Sequence, residues 1–386
     1  QAIDKAPSGA VIALGPGFYE GNIAISKPLT LRASGKGVVI HGDGTGSVIT
    51  VTASYVTVDG LTIENSGPKH QTVDAGITVR GADNVKILRN RIRDCLFGVN
   101  FEQTNRSVIE DNDITSLPVS LGLKGDGIRL WYSHGNLIRM NRTRYVRDNV
   151  FWYSSANKIY ENSGADSRYS LHFMYADRNE ILSNDYRRNS VGIFLMFSQG
   201  STLKRNFVAD STGPFGIGIG MKESSDILVE ENQILYNARG FYLDSSPYQP
   251  GTLNTFRGNE INFNTTAFLL HGTLLPSLFE SNVFKGNIED VANDTPESKL
   301  EINTWRSNYW DNYEGFDRND DGYGDIPHEQ WMYADRIWSY LPAAKFFYAS
   351  PVLDFMNFLW RLMPFSEPVL LARDARPQIR ERGTEK

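Results

Sequence analysis

The segment "NVKILRNRI", residues 84–92, contains the pattern that decides the fold, which is Asn, one residue, then an aliphatic or aromatic residue; the second Asn of the segment begins it here. Variants of it are "RSVIEDNDI" (106–114), "NKIYENS" (157–163), "NEILSNDY" (179–186) and "DILVEENQI" (226–234). The second Asn recurs every 21 to 29 residues, at Asn65, Asn90, Asn112, Asn141, Asn162, Asn184, Asn206, Asn232, Asn259 and Asn282. Self-similarity at such a period predicts stacked structural repeats.

Between these Asn positions lie short segments in which side chains alternate with the period of two that strands require. Examples are "GITVR" (76–80), "GIRLW" (127–131), "GIFLM" (192–196) and "GFYLD" (240–244). A turn of about 22 residues cannot bury its own apolar face and must stack on its neighbours. The sequence therefore predicts an all-β fold, a right-handed parallel β-helix (solenoid), over residues 1–300.

The repeated Asn is predicted to have a structural role. Asn tolerates a left-handed backbone at the corner between two strands, and its amide can bond to the Asn of the coils above and below. We therefore expect a ladder of Asn side chains without a catalytic role. The first coils, which include "GPGFYEGNIAISKPLTL" (15–31), are expected to cap the amino-terminal edge.

Composition and charge exclude several classes of protein. A formal net charge of -6 and a pI near 5.6 argue against a nucleic-acid partner. The lone Cys95 cannot form an internal disulfide and is expected in the core. Residues 346–365 are the nearest approach to a membrane span, but Pro, Asp, Asn and Arg interrupt them. The start of the chain has no signal-peptide pattern, so an export signal has either been removed or never existed.

The repeat ends near residue 300, which defines two further segments. Residues 301–330 form an acidic, turn-rich junction, and residues 331–386 an aromatic, partly helical segment expected to cover the end of the helix or to dock on a partner. Trp residues crowd this region, at Trp305, Trp310, Trp331, Trp338 and Trp360.

Alignment of the strand segments predicts columns of stacked side chains. The predicted inward column is Ile77, Val99, Ile128, Val150, Leu171, Ile193, Ile217, Phe241 and Phe268. The predicted outward column is Arg80, Glu102, Trp131, Tyr153, Met174, Met196, Gly220, Asp244 and His271. The middle of the outward column is apolar, and exposed apolar patches usually mark binding surfaces.

This outward face contains candidate metal ligands. We expect Met174 and Met196 one coil apart, with His172 on the strand of Met174, and Met221 and His271 as further candidates. Thioether and imidazole ligands without several carboxylates suit a soft monovalent ion such as Cu(I) better than Zn, Ca or Mg. The alternative is that the Met side chains fill gaps under a loop and that the His residues have no special task.

The same face also permits carbohydrate binding. Aromatic side chains and Arg129 could stack on sugar rings, as in polysaccharide lyases, hydrolases and uronate epimerases with this fold; the candidates are Trp131, Phe151 and Tyr153. Glycoside hydrolysis needs two facing carboxylates about 5 to 9.5 Å apart, whereas Glu102 and Asp244 are predicted several coils apart. The sequence thus favours a protein that is not an enzyme, with a carbohydrate-active enzyme as the alternative.

The stretch "DRNDDGYGDIPH", residues 317–328, resembles the start of a calcium-binding loop. Its candidate ligands are Asp317, Asn319, Asp321, the Tyr323 carbonyl and Asp325. A complete EF-hand loop needs Glu at its twelfth position, where this chain has His328. The sequence leaves open whether this loop binds Ca²⁺ or is an Asx-rich turn that fixes the junction.

The order of β-helix repeats, "NYWDNYEGFDRNDDGYGDIPH" (308–328) and "YLPAAKFFYASPVLDFMNFLWRLMPF" (340–365) resembles the NosD family of nitrous oxide reductase maturation. The resemblance implies a periplasmic accessory protein that works with an ABC transporter, made of a permease (NosY type) and an ATPase (NosF type). It also implies a copper chaperone (NosL type) as donor, and delivery of copper, or of sulfur, for the copper-sulfur centre of nitrous oxide reductase. The aromatic tail would then dock on the permease and associate the protein with the membrane.

Overall fold

The computed structural model describes residues 2–332, 341, 343, 347, 350–362 and 368–380. The chain divides into two compact units, residues 1–208 and residues 209–386. Both consist of parallel strands stacked coil on coil, so the predicted right-handed parallel β-helix is confirmed.

The first unit begins with helix α1 (Ala2–Lys5). Its strands are, in chain order, β1 (Ala10–Leu14), β2 (Gly17–Glu20), β3 (Ile23–Ile25), β4 (Leu29–Ala33), β5 (Val38–His41), β6 (Ile49–Val51), β7 (Thr57–Asp59), β8 (Thr62–Glu64), β9 (Ala75–Arg80), β10 (Lys86–Leu88), β11 (Arg91–Cys95), β12 (Phe97–Glu102), β13 (Val108–Glu110), β14 (Asp113–Ser116), β15 (Ile128–Trp131), β16 (Leu137–Arg139), β17 (Arg142–Arg144), β18 (Asp148–Trp152), β19 (Lys158–Tyr160), β20 (Ser163–Ala165), β21 (Tyr169–Met174), β22 (Glu180–Leu182), β23 (Asp185–Arg187), β24 (Val191–Met196), β25 (Thr202–Lys204) and β26 (Phe207–Ala209). A 3₁₀ turn at Leu121–Leu123 lies between β14 and β15.

Each coil of the first unit contributes one strand to each of three parallel sheets. The first sheet runs from β1 through every third strand to β25, the second from β2 to β26, and the third from β3 to β24. Ile87 shows the register, because it pairs with Val58 on one side and Ile109 on the other, and all three are fully buried. Cys95 is also fully buried, which confirms its core position and raises the pKa of its thiol to about 12.

The second unit has the same coil plan. Its elements are β27 (Ile217–Lys222), β28 (Leu228–Glu230), β29 (Gln233–Leu235), β30 (Arg239–Asp244), β31 (Asn254–Arg257), β32 (Glu260–Asn262), β33 (Thr266–His271), β34 (Ser277–Glu280), β35 (Val283–Lys285), β36 (Glu289–Asn293), a 3₁₀ turn (Leu300–Ile302), β37 (Thr304–Arg306), β38 (Tyr309–Trp310), β39 (His328–Met332), α2 (Pro351–Leu362) and β40 (Val369–Asp374). Its core contains stacked aromatic rings, including Phe279 on Trp305 (3.9 Å between centroids) and Phe284 on Trp310 (4.1 Å).

The predicted Asn ladder is present in both units. The backbone N–H and side-chain Nδ2 of Asn90 both donate to Oδ1 of Asn112, at 2.9 and 3.1 Å, and Asn112 repeats this arrangement with Asn141. Each amide also donates to a carbonyl on the other side, as Asn112 Nδ2 does to Ile87. From Asn90 onward the ladder therefore satisfies backbone donors at one corner of the coils, which is the role that buried Asn must have.

Two details of the ladder prediction are wrong. Asn65 is not a member, because its Nδ2 donates to the Gly42 carbonyl. On the preceding coil, Asn90 Oδ1 instead accepts from Leu61 N, and Asn90 Nδ2 donates to the Val58 carbonyl. The left-handed backbone also belongs to the residue before each ladder Asn, not to the Asn itself. These residues include Arg89, Asp111, Met140, Glu161, Ser183 and Arg205.

The carboxyl-terminal stretch closes the ladder of the second unit. Strand β40 pairs in parallel with β37 and antiparallel with β39, and places Asp374 after Asn308 in the ladder. The fully buried Asp374 carboxylate accepts from Asn308 N (2.8 Å), Asn308 Nδ2 (2.9 Å) and Trp310 Nε1 (3.3 Å). Residues 369–380 therefore cover the end of the second unit, which is one of the two roles expected for residues 331–386.

Helix α2 is another described part of the predicted docking segment. Its exposed apolar side chains are Val352, Phe355, Met356, Phe358, Leu359 and Leu362. Of the Trp residues predicted to crowd this region, Trp338 lies outside the described residues, as does the side chain of Trp360. Among the described residues, no helix is long and apolar enough to cross a membrane.

Candidate metal-binding site

The third sheet of the first unit aligns one outward column along β9, β12, β15, β18, β21 and β24. We call it the Trp–Met column; its members are Arg80, Glu102, Trp131, Trp152, Met174 and Met196. Met174 pairs directly with Met196, as predicted, and Trp152 is the register partner of Met174 on the preceding coil. The four carboxyl-terminal members are all partly buried.

The predicted column was wrong by one residue at β18. Arg129 pairs with Val150, so Val150 faces outward and Phe151 faces inward, where it is fully buried. The coil from β15 to β18 is one residue shorter than assumed, and a one-residue slip moves every side chain to the opposite face. Phe151 thus cannot stack on a sugar, and Trp152 takes the place predicted for Tyr153.

His172 lies in the neighbouring outward column, between Val150 and Phe194. Its ring stacks on Tyr169 with 4.8 Å between centroids, and 12% of its side chain is exposed. Nδ1 lies 3.8 Å from Oδ2 of Asp148, whereas Nε2 is buried and has no hydrogen-bond partner. Metal-binding His residues usually have a carboxylate near one ring nitrogen and the other nitrogen free; here the carboxylate lies at an ion-pair distance.

Asp148 is a residue of this site that the sequence did not indicate. Burial works to raise the pKa of its carboxyl, but hydrogen bonds from Arg168 and His172 hold the pKa below its ordinary value. Arg168 Nε donates to Oδ1 at 2.9 Å. Asp148 is therefore ionised at neutral pH and can orient His172 without leaving a buried charge unpaired.

An aromatic stack borders the Trp–Met column and was also missed. Tyr132, Tyr153, Tyr175 and Phe197 stack ring on ring with centroids 4.8 to 5.2 Å apart and interplanar angles of 9 to 15°. The recurrence of "LWYS" (130–133), "FWYS" (151–154), "FMYA" (173–176) and "LMFS" (195–198) was the signal that could have found it. Because each ring covers the next, the stack rigidifies this edge of the Trp–Met column.

The other two predicted copper ligands belong to the second unit. Met221 is fully buried and pairs with Leu243, so its thioether lies in the core of that unit and not on an outer face. Its β27 neighbour Lys222, instead of the predicted Gly220, pairs with Asp244. His271 does face outward, beside Asp244, and its Nδ1 lies 2.7 Å from Oδ1 of Asp294.

The acidic loop forms an ordered turn in the second unit. Oδ2 of Asp317 accepts from Gly322 N at 2.8 Å, Oδ1 of Asp321 accepts from Tyr323 N at 2.9 Å, and Asp325 accepts from Arg318 N. Arg376, from the carboxyl-terminal stretch, donates to Asp321 Oδ2 at 2.8 Å. The carboxylates bind the backbone and Arg376, which is the arrangement of an Asx-rich clasp.

A carboxylate-based metal site is not present in the parts of the chain that the structure describes. No three His, Cys, Asp or Glu side chains there come close enough together to share a metal ion. The candidate set therefore combines one imidazole with two thioethers: His172, Met174 and Met196.

Comparison with known proteins agrees with the fold. A model of the right-handed β-helix region matches residues 30–133. Among solved structures, the mannuronan C-5 epimerase AlgE6 A-module of Azotobacter vinelandii has a TM-score of 0.58 at 17% identity, over 77% of this chain and 91% of that one. The Streptococcus pneumoniae surface adhesin PfbA has a TM-score of 0.57 at 12% identity, over 74% and 85%. At these identities the likeness is one of fold alone.

Comparison of sequences identifies a family, which the likeness of fold does not. Proteins named "Probable ABC transporter binding protein NosD" from Pseudomonas aeruginosa and Stutzerimonas stutzeri are each 28% identical to this chain. The matches cover 95% and 90% of this chain, and 88% and 82% of the relatives. The family model described as "Periplasmic copper-binding protein (NosD)" matches residues 114–315, more than half of the chain. The chain therefore belongs to the NosD family.

Proposed function

We propose that this protein is a periplasmic carrier that accepts Cu(I) at His172, Met174 and Met196 and passes it on for the copper-sulfur centre of nitrous oxide reductase. The observation that carries the proposal is the register pairing of Met174 with Met196 beside a His whose buried Nε2 has no partner. The family description as copper-binding supports the same cargo.

The spacing of the two Met residues fits a bridging ion. Strands of neighbouring coils lie about 4.8 Å apart, and metal–sulfur bonds are about 2.3 Å long, as for zinc. Methionine side chains are unbranched and flexible, so two thioethers on paired residues can reach one ion beside the strands without movement of the backbone. Neutral thioethers are soft ligands that select Cu(I), and their lack of charge keeps the binding weak enough for transfer.

The partners are part of the proposal. A NosL-type chaperone would donate Cu(I), and a NosY-type permease with a NosF-type ATPase would drive the exchange, in line with the transporter-binding names of the relatives. The exposed apolar side chains of α2, such as Phe355 and Phe358, are the docking surface that we propose for the permease. Phe355→Glu with Phe358→Glu is expected to abolish co-purification with the permease; retained co-purification would place the anchor elsewhere.

A titration with Cu(I), supplied as its bicinchoninate complex, tests the site. Met174→Ala combined with Met196→Ala is expected to weaken binding by at least tenfold. Met140→Ala is the matched control, because Met140 is exposed on the same unit but lies outside the Trp–Met column. Equal affinities of the wild type and the double variant would refute the site.

The proposed role is that of a carrier, not of an enzyme. Glu102 of the Trp–Met column is engaged by Arg80 at 2.8 Å and by Arg129 at 3.8 Å, which suits an ion-paired structural carboxylate. Incubation with uronate polymers is expected to release no unsaturated or shortened oligosaccharide; such products would support the carbohydrate-active alternative.

A further inference from the structure

We infer that Trp152 is a further element of the Cu(I) site, with one face of its indole directed at the bound ion. The inference rests on the proposed function and adds a cation–π contact to the His and Met ligands. Trp152 occupies the position of the Trp–Met column that pairs with Met174 from the preceding coil.

The orientation of the indole follows from its aromatic neighbours. Tyr132, Tyr153 and Tyr175 stack at about one coil spacing, so the normals of their rings run from coil to coil. The indole of Trp152 is within 16° of the ring of Tyr153 and therefore has the same orientation. One of its faces is turned to the coil before it and the other to the coil of Met174.

The face toward Met174 is the one that we assign to the ion, because Trp131 packs against the indole from the preceding coil. Trp131 meets the indole of Trp152 edge-on from the preceding coil, with 4.9 Å between centroids and 75° between planes. Among the described residues, the aromatic contacts of Trp152 are with Trp131 and Tyr153, and neither covers the side of Met174.

The distance is suitable for a cation–π contact. His172 and Met174 belong to the same strand, β21, so coordination by His172 holds the ion near the level of that coil. That level is about 4.8 Å from the coil of Trp152, inside the limit of about 6 Å within which a cation is attracted to an aromatic face. Indole is the strongest of the aromatic side chains in this interaction.

The partial burial of the column strengthens the contact. Trp152, Met174 and Met196 are all partly shielded from solvent, and a cation–π contact is stronger where water is excluded. The indole also favours Cu(I) over hard ions such as Ca²⁺ and Mg²⁺, because it adds affinity for a cation without adding an oxygen ligand.

Competition for Cu(I) against bicinchoninate, with tryptophan fluorescence recorded in parallel, tests the inference. Trp152→Leu is expected to weaken Cu(I) binding roughly three- to thirtyfold, and Trp152→Phe less. Cu(I) is expected to quench the fluorescence of the wild type and of Trp131→Phe, but to quench Trp152→Phe much less. Trp131→Phe is the matched control, since it changes the same column one coil farther from Met174.

The outcomes separate this inference from the proposed function. If binding depends on Met174 and Met196 but Trp152→Leu and Trp152→Phe keep the affinity and quenching of the wild type, the role of Trp152 is refuted and the carrier function stands. If Cu(I) binding is independent of both Met residues, the proposed function fails and the role of Trp152 fails with it. Thermal unfolding of each variant shows whether it is folded, and the conservative Trp152→Phe keeps the test valid should Trp152→Leu misfold.

Discussion

Replacing Asp374 tests how the second unit is closed at its carboxyl-terminal end. The carboxylate is fully buried and accepts five hydrogen bonds, from Ser307 N, Asn308 N, Asn308 Nδ2, Trp310 Nε1 and Arg376 N. Asp374→Ala leaves three of these donors buried without an acceptor, on Asn308 and Trp310. Each unsatisfied buried donor costs about 1–3 kcal/mol, so we expect a loss of about 4 kcal/mol, allowing for partial relaxation.

Asp374→Asn is the informative comparison. An amide oxygen can accept from both Asn308 donors, as Asn308 Oδ1 does from Asn282 one coil earlier. The amide NH₂ cannot accept from Ser307 or Arg376, whose N–H groups are closer to solvent, so the expected loss is about 1–2 kcal/mol. Arg373→Ala is the control, because the exposed Arg373 side chain pairs with Glu329 at 3.3 Å, and loss of such a surface pair should change stability by less than about 1 kcal/mol.

Amide hydrogen exchange at Asn308 and Trp310 measures this effect, because it reports the free energy of opening of the cap without assuming that a repeat protein unfolds in two states. Protection at both amides should fall strongly in Asp374→Ala, moderately in Asp374→Asn and little in Arg373→Ala. Wild-type protection in Asp374→Ala would show that Asp374 does not close the ladder.

Three further predictions concern the junction and the ladder. Burial raises the pKa of Asp290 to about 6 and lowers the pKa of His328 to about 4. As the pH falls from 6.5 to 4, Asp290 therefore takes up a proton in the folded state and stabilises the unit, whereas His328 takes one up in the unfolded state and destabilises it. Each effect is on the order of 3 kcal/mol. As the pH is lowered across this range, the urea midpoint of the wild type should stay nearly constant, that of Asp290→Asn should fall, and that of His328→Gln should rise. The same pH dependence in all three proteins would contradict these assignments. Asp321→Ala should lower the thermal midpoint equally with Ca²⁺ and with EGTA, since Asp321 is held by Arg376 and Tyr323 N; a Ca²⁺-dependent difference would support the calcium site. Asn141→Ala should lower the free energy of unfolding by about 2–4 kcal/mol, because it leaves two donors of Asn112 unpaired. An unchanged urea midpoint would show that the ladder does not contribute to stability.

The sequence predicted the fold well because its main determinant is local and periodic. From β11 onward an Asn precedes the strand of the second sheet, and the hydrogen bonds of Asn90 and Asn112 follow from stacking identical side chains. The pairing of Met174 with Met196 was predictable for the same reason, since both follow similar segments 22 residues apart.

The errors arose where coil length changes or where contacts are not periodic. Tyr153 was placed in the wrong column because one coil is a residue shorter, and the sequence pattern of Trp152 and Tyr153 fits either register. Asp374 was missed because it closes the ladder from 66 residues beyond Asn308, across a stretch without repeats. Asp148 was not found because its link to His172 exists only once neighbouring coils are stacked.

X-ray absorption spectroscopy of the Cu(I)-loaded protein identifies the atoms that bind the ion and so tests the proposed site. We expect two sulfur ligands at about 2.3 Å and one nitrogen ligand at about 2.0 Å, by analogy with zinc, with the sulfur signal lost in Met174→Ala combined with Met196→Ala. The nitrogen signal should be lost in His172→Ala. A copper environment without sulfur, or one that these substitutions leave unchanged, would contradict the account.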